Sequence, residues 1–79
     1  MNETEWLVEW FRNRDEDVTF GIDEHYVENG ALDSFGVVEL IEGVEQNFSI
    51  QMDEQVFQDP NFFTIKGLAE IIAKKRTGT

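Results

Sequence analysis

The strongest constraint on the fold is a helical apolar stripe in the middle of the chain. Its apolar residues follow the spacing i, i+3, i+4, i+7 and i+11, which places them on one face of a helix. These residues are Val37, Leu40, Ile41, Val44 and Phe48. Either Asp33 or Ser34 is a suitable N-cap. The pattern predicts an amphipathic helix over about residues 34–47, whose apolar face other helices must cover.

Flanking segments supply those partner helices. The apolar residues Trp6, Leu7, Trp10 and Phe11 lie on one stripe and predict a first helix of about residues 2–14, capped by Asn2.

Two further helices are predicted after the central one. Asp53 can cap a short helix of about residues 53–58, and Thr64 can cap a last helix of about residues 65–76. Asp59–Asn61 between them reads as a turn, because proline disfavours helix for the residue before it. The predicted fold class is therefore all-α, a small antiparallel bundle of three main helices plus one short helix.

A long connection, residues 15–33, separates the first two helices. Gly21, Asn29 and Gly30 punctuate it. A loop of this length without structure of its own is unusual in a compact domain. We therefore expect it to pack through its apolar residues, which are Val18, Phe20, Ile22, Tyr26, Val27 and Leu32.

Length and composition narrow the function. The chain has 79 residues, which predicts one domain spanning 1–79 and leaves little room for a deep catalytic cavity beside the core. We therefore expect a protein that is not an enzyme. Because there are no cysteines, disulfides, thiolate catalysis and zinc–thiolate sites are excluded. An acidic start without a basic region and the lack of a long apolar run predict a cytoplasmic protein without membrane insertion, which we expect to be a monomer.

The charge distribution indicates which partners to expect. The net charge is −11, and no lysine or arginine occurs between Asp15 and Ile65. Such a surface repels nucleic acids and anionic membranes and attracts basic protein surfaces. A surface that serves only solubility is the alternative interpretation.

The residues that carry chemistry lie at the start of the central helix. Gly30 and Leu32 precede Asp33 and Ser34, and Phe35 follows, before an amphipathic acidic helix. This stretch resembles the attachment site of the phosphopantetheine-binding carrier proteins, the acyl and peptidyl carrier family. The resemblance covers about residues 22–73, because the segments Phe48-Ser49-Ile50 and Phe63-Thr64-Ile65 are also similar to that family.

The resemblance implies a specific function. Ser34 would receive a 4′-phosphopantetheine arm from coenzyme A through a phosphopantetheinyl transferase, with Asp33 in a supporting role. The arm would tether acyl or aminoacyl groups as thioesters and present them to loading ligases or synthases with basic docking surfaces. Fatty acid and secondary metabolite biosynthesis are the expected settings. Taken by itself, Ser34 can also be a plain N-cap.

The family's usual docking surface is the acidic face of this helix. The residues that the resemblance assigns to it are Phe35, Val38, Glu39, Glu42, Glu45 and Gln46. From the residues alone, the acidic side chains also fit a solvated face, Phe35 fits either core or contact, and Val38 favours core. Phe35 and Glu42 depart from the family pattern, so the cargo stays open among fatty acyl, aminoacyl and polyketide groups.

Two other functions are alternatives to the carrier. One is an interaction module with the carrier fold, which lacks the arm and binds partners through the acidic helix. The other is a small hydrolase with Ser34 as nucleophile and His25 as base, which the missing Gly-x-Ser-x-Gly motif disfavours. No metal site is predicted, since neither His25 with its acidic neighbours nor Asp15–Asp17 has ligand spacing.

Overall fold

The computed structural model of the chain describes residues 2–14 and 21–77. These residues form four α-helices and one 3₁₀ helix, so the all-α prediction is confirmed. The elements are α1 Glu3–Arg14, α2 Ser34–Phe48, α3 Glu54–Gln58, the 3₁₀ helix Pro60–Phe63 and α4 Ile65–Arg76. The loop residues 15–20, which include the acidic run and the proposed anchors Val18 and Phe20, lie outside the described residues.

Each of the four α-helices begins directly after a residue that caps its N-terminus. In each case a side-chain oxygen accepts a hydrogen bond from the backbone N–H three residues later, which satisfies one of the free donors at a helix start. The pairs are Asn2 with Glu5 (2.8 Å), Asp33 with Gly36 (2.7 Å), Asp53 with Val56 (3.3 Å) and Thr64 with Gly67 (2.9 Å).

Helix α1 runs antiparallel to α2. Near the start of α1, the ring of Trp6 meets that of Phe48 at the end of α2, with 5.2 Å between centroids. At the end of α1, Arg14 Nη1 lies 3.0 Å from Glu39 Oε1 in the first half of α2. Gly43 of α2 faces the two tryptophan rings of α1, and a Cβ there would lie 3.3 Å from Trp10 Nε1 and 3.4 Å from Trp6 Cη2.

Helix α4 is also antiparallel to α1 and closes the bundle from the other side. Glu3 at the start of α1 forms an ion pair with Arg76 at the end of α4. The opposite end of α4 packs tightly on the 3₁₀ helix, because a Cβ at Gly67 would lie only 2.1 Å from the carbonyl oxygen of Asn61. Only glycine allows this approach of two backbones.

A single core lies between these helices. Its fully buried side chains come from α1, α2, α4, the 3₁₀ helix and the loop, and each contributes about 1.5–3 kcal/mol through the apolar surface that it removes from water. They are Leu7, Phe11, Tyr26, Leu40, Val44, Phe62, Leu68 and Ile72.

The loop packs partly as the sequence predicts. Tyr26 and Leu32 are buried and Val27 is half-buried, whereas Ile22 is 42% exposed. Backbone hydrogen bonds add an attachment that the sequence does not predict. The N–H of Tyr26 donates to the carbonyl of Phe63 (3.0 Å), and the N–H of Lys66 in α4 donates to the carbonyl of Ile22 (2.8 Å).

Tyr26 is the centre of this attachment. Its hydroxyl donates to the carbonyl oxygen of Phe62, and its own carbonyl accepts from the N–H of Leu32 at 2.9 Å. Burial raises the pKa of the Tyr26 hydroxyl above its ordinary value. Within the described ranges, no helix has the length and apolar content to cross a lipid bilayer.

Candidate functional site

Ser34 is the first residue of α2, and its side chain is exposed. The carboxylate of Asp33 performs the capping, since its Oδ1 accepts from the N–H of Gly36 at 2.7 Å. Of the two caps that the sequence allowed, the structure uses Asp33. No described group forms a hydrogen bond with the Ser34 hydroxyl, which leaves that oxygen accessible.

The electrostatic surroundings of Ser34 suit an added anion. The first turn of α2 contains no acidic residue, and the described residues offer no acceptor for the backbone N–H groups of Ser34 and Phe35. Unpaired N–H groups and the helix dipole together favour negative charge at a helix N-terminus. These N–H groups can therefore bind a phosphodiester on Ser34, while the neighbouring carboxylate of Asp33 opposes its charge.

Close packing fixes the direction from which the chain enters α2. A Cβ at Gly36 would lie 2.9 Å from Leu32 Cδ2 and 3.0 Å from Arg14 Nη2, so Gly36 lets both side chains reach the helix. Leu32, the residue before Asp33, is buried and anchors the chain where it enters α2. Neither Gly36 nor Arg14 is predicted from the sequence to contact this site, although a glycine in the first turn of a helix is a detectable signal.

Two large apolar side chains are exposed next to Ser34. Phe35 is 70% exposed and Val38 is 51% exposed, and they lie one turn apart on α2. The interpretation of Val38 as a core residue is wrong, because no described element covers that side of α2. Phe35 likewise lies outside the core.

Not all acidic side chains on the predicted docking face of α2 are free to contact a partner. Glu39 pairs with Arg14, which also stacks over the ring of Trp10 at 5.5 Å. Glu45 is half-buried and accepts from the N–H of Met52 at 2.9 Å. These two carboxylates therefore have structural contacts within the chain.

Glu42 and Gln46 are exposed on the same face. They line a shallow open groove of about 320 Å³ together with Glu45, Ile50 and Gln51. Of the acidic residues predicted for docking, Glu42 is the most available to a partner, since no described basic group pairs with it.

The structure does not bring together His25 and Ser34, the base and nucleophile of the alternative hydrolase, in a hydrogen bond. Nδ1 of His25 accepts from the backbone N–H groups of Val27 and Glu28, and no hydrogen bond among the described residues links His25 to Ser34. The described residues also contain no group of three His, Asp or Glu side chains arranged to hold a metal ion. The acidic run Asp15–Asp17 lies outside them.

Comparisons with protein-family models, with curated proteins and with solved structures find no match to this chain. The resemblance to carrier proteins therefore rests on the sequence motifs alone and stays a prediction.

Proposed function

We propose that this protein is a carrier that holds acyl or aminoacyl groups as thioesters on a 4′-phosphopantetheine arm attached to Ser34. The observation that carries the proposal is the division of roles between Asp33 and Ser34. Asp33 caps α2 through Gly36, and Ser34 keeps an exposed hydroxyl without a partner among the described residues. A serine needed only as a cap would have its oxygen on a backbone N–H instead.

The chemistry requires little of the chain itself. The Ser34 oxygen would form a bond to the phosphorus of coenzyme A that bears pantetheine, and the bond from that phosphorus to the adenosine bisphosphate would break. The hydroxyl proton would go to a base of the transferase. The arm supplies the thiol for thioester chemistry, which a chain without cysteine lacks.

The neighbouring surface supports recognition by other proteins. Phe35 and Val38 offer apolar contact area beside Ser34, and Glu42 offers a carboxylate for a basic partner. Contacts of this kind favour fast encounter and ready release, as a carrier needs when it visits several enzymes in turn.

Intact-mass spectrometry tests the attachment. The protein is incubated with coenzyme A, magnesium and a broad-specificity phosphopantetheinyl transferase. We expect wild type to gain the mass of one phosphopantetheinyl group and Ser34→Ala to gain nothing. Ser49 is the only other serine in the chain and is also exposed, so Ser49→Ala is the matched control and should be modified like wild type. An unmodified wild type, or an arm on Ser34→Ala, rejects the proposal.

The exposure of Phe35 and Val38 also fits the second function, an interaction module without the arm. The same experiment distinguishes the two functions. A module of this kind would stay unmodified, and its binding to a partner would be lost in Phe35→Ser but unchanged in Ser34→Ala.

A further inference from the structure

The segment that leads into α2 is organised around one imidazole ring. Nδ1 of His25 accepts hydrogen bonds from the backbone N–H groups of Val27 (3.3 Å) and Glu28 (3.1 Å). The carbonyl oxygen of His25 accepts from the N–H of Asn29 at 3.0 Å. The ring stacks on Phe63 with 4.9 Å between centroids and 6° between planes. One half-buried side chain therefore holds a turn of several residues against the 3₁₀ helix.

This arrangement requires one protonation state of His25. Nδ1 has a single lone pair, which points to both N–H groups, so Nδ1 cannot itself carry a proton. The proton of the neutral ring must lie on Nε2. A flipped ring would place the carbon Cδ2 against the N–H groups and satisfy neither.

The turn is continuous with the start of α2. The N–H of Gly30 donates to the carbonyl of Val27 at 3.1 Å, and the N–H of Leu32 donates to that of Tyr26 at 2.9 Å. Leu32 then packs in the space that Gly36 leaves open. The position of the first turn of α2 therefore depends on a chain of contacts that begins at His25.

We propose that His25 holds this turn in place only while its Nδ1 is unprotonated, so that the turn responds to pH. Protonation of Nδ1 replaces its lone pair with an N–H, which then faces the backbone N–H groups of Val27 and Glu28 and cannot accept from them. These two groups are released, and the segment before α2 loosens. The proposal is independent of whether Ser34 carries an arm.

The charged groups near His25 determine whether protonation displaces the ring or releases the two backbone N–H groups. The carboxylates of Asp23, Glu24 and Glu28 lie on the same segment and carry negative charge. On the packed side, Phe63 attracts an imidazolium through its ring face, while Lys66 just beyond it in α4 opposes the added charge. The imidazolium thus retains favourable neighbours, whereas the two backbone N–H groups lose their only acceptor among the described residues. The turn therefore opens.

Nuclear magnetic resonance at residue level tests this proposal, with His25→Asn as the matched variant. An asparagine oxygen can accept from the same N–H groups but does not titrate. In wild type, we expect the ring proton on Nε2 while the imidazole is neutral. The amide signals of Val27 and Glu28 should then shift with the same midpoint as the ring. Their exchange protection, corrected for intrinsic rates, should fall about tenfold over the pH range in which the ring becomes protonated.

In His25→Asn, the same amides should keep their protection over this range, apart from effects of the neighbouring carboxylates. A neutral ring with its proton on Nδ1, or amide signals that do not follow the ring, would overturn the proposal. An equal loss of protection in His25→Asn would also overturn it. If that variant does not fold, the wild-type tautomer and the agreement of midpoints decide the question alone.

Discussion

Two regions of this molecule are built in opposite ways. At the junction of the loop, the 3₁₀ helix and α4, Tyr26 and Phe62 are fully buried and Gly67 brings two backbones together. At the start of α2, Phe35 and Val38 are exposed, and the helix is capped by one side-chain hydrogen bond, which the carboxylate of Asp33 accepts from the N–H of Gly36.

The contrast indicates how stability and recognition are divided. A fully buried side chain such as Tyr26 or Phe62 has no surface left for a partner, so these residues serve the stability of the fold. The start of α2 leaves a hydroxyl, N–H groups and apolar surface unsatisfied by the described residues. This region can take up such contacts because the junction holds the chain that leads into it.

The largest effect should come from Gly67→Ala. The new methyl group would overlap the carbonyl oxygen of Asn61, from which a Cβ would be 2.1 Å away, and two backbones must separate to admit it. We expect a loss of about 3 kcal/mol or more in the free energy of unfolding, measured by urea denaturation.

Gly43→Ala is the matched control, because it makes the same change inside α2. A Cβ there would meet only Trp side-chain atoms, at 3.3 Å or more, and alanine favours helix by about 1 kcal/mol. We expect Gly43→Ala to change stability by less than about 1 kcal/mol. Similar losses in the two variants would show that the junction is no tighter than the contact between α1 and α2.

Tyr26→Phe should have an intermediate effect. It removes the hydroxyl that donates to Phe62 and leaves a buried carbonyl oxygen with one partner fewer. We expect a loss of about 1–3 kcal/mol in the free energy of unfolding, with little change in the rate at which Ser34 is modified. A large loss of modification without a loss of stability would contradict the division between stability and recognition.

The same substitution also changes the response to alkaline pH. Burial raises the pKa of Tyr26 in the folded protein, so folding favours the neutral phenol. This contribution is fully present below the unfolded pKa of about 10 and is lost as the pH rises above it. Wild type should therefore lose stability above about pH 10 more steeply than Tyr26→Phe, which a series of urea denaturations can measure. Equal slopes would mean that Tyr26 is not desolvated as the structure indicates.

Local signals account for what the sequence predicts well. A cap such as Asp53 or Thr64 acts on an N–H three residues away, so each helix start is encoded within one turn. The attachment of Tyr26 to Phe62 joins residues 36 positions apart and has no periodic signal. The backbone pairing of the loop with α4 was missed for the same reason.

The candidate site divides in the same way. The exposure of Ser34 at the start of α2 agrees with its motif, while Val38 was misplaced because periodicity cannot say which flank of a helix its neighbours cover. The pairing of Glu39 with Arg14 depends on the crossing of two helices, which the sequence of either helix alone does not determine. The proposed attachment of an arm would be performed by another protein, so no contact within this chain encodes it.

The smallest effect should come from Asp33, where the cap and the proposed site meet. Asp33→Ala removes the acceptor for the N–H of Gly36 and should cost about 1 kcal/mol, whereas Asp33→Asn keeps an acceptor and should cost only a few tenths, about 0.3 kcal/mol. Urea midpoints of the two variants test the cap, and their rates of modification at Ser34 test the charge. If Asp33→Asn is as stable as wild type but is modified more slowly, the carboxylate also acts on the transferase. If Asp33→Ala is as stable as wild type, Asp33 does not fix the start of α2, and the explanation for the exposed Ser34 hydroxyl fails with it.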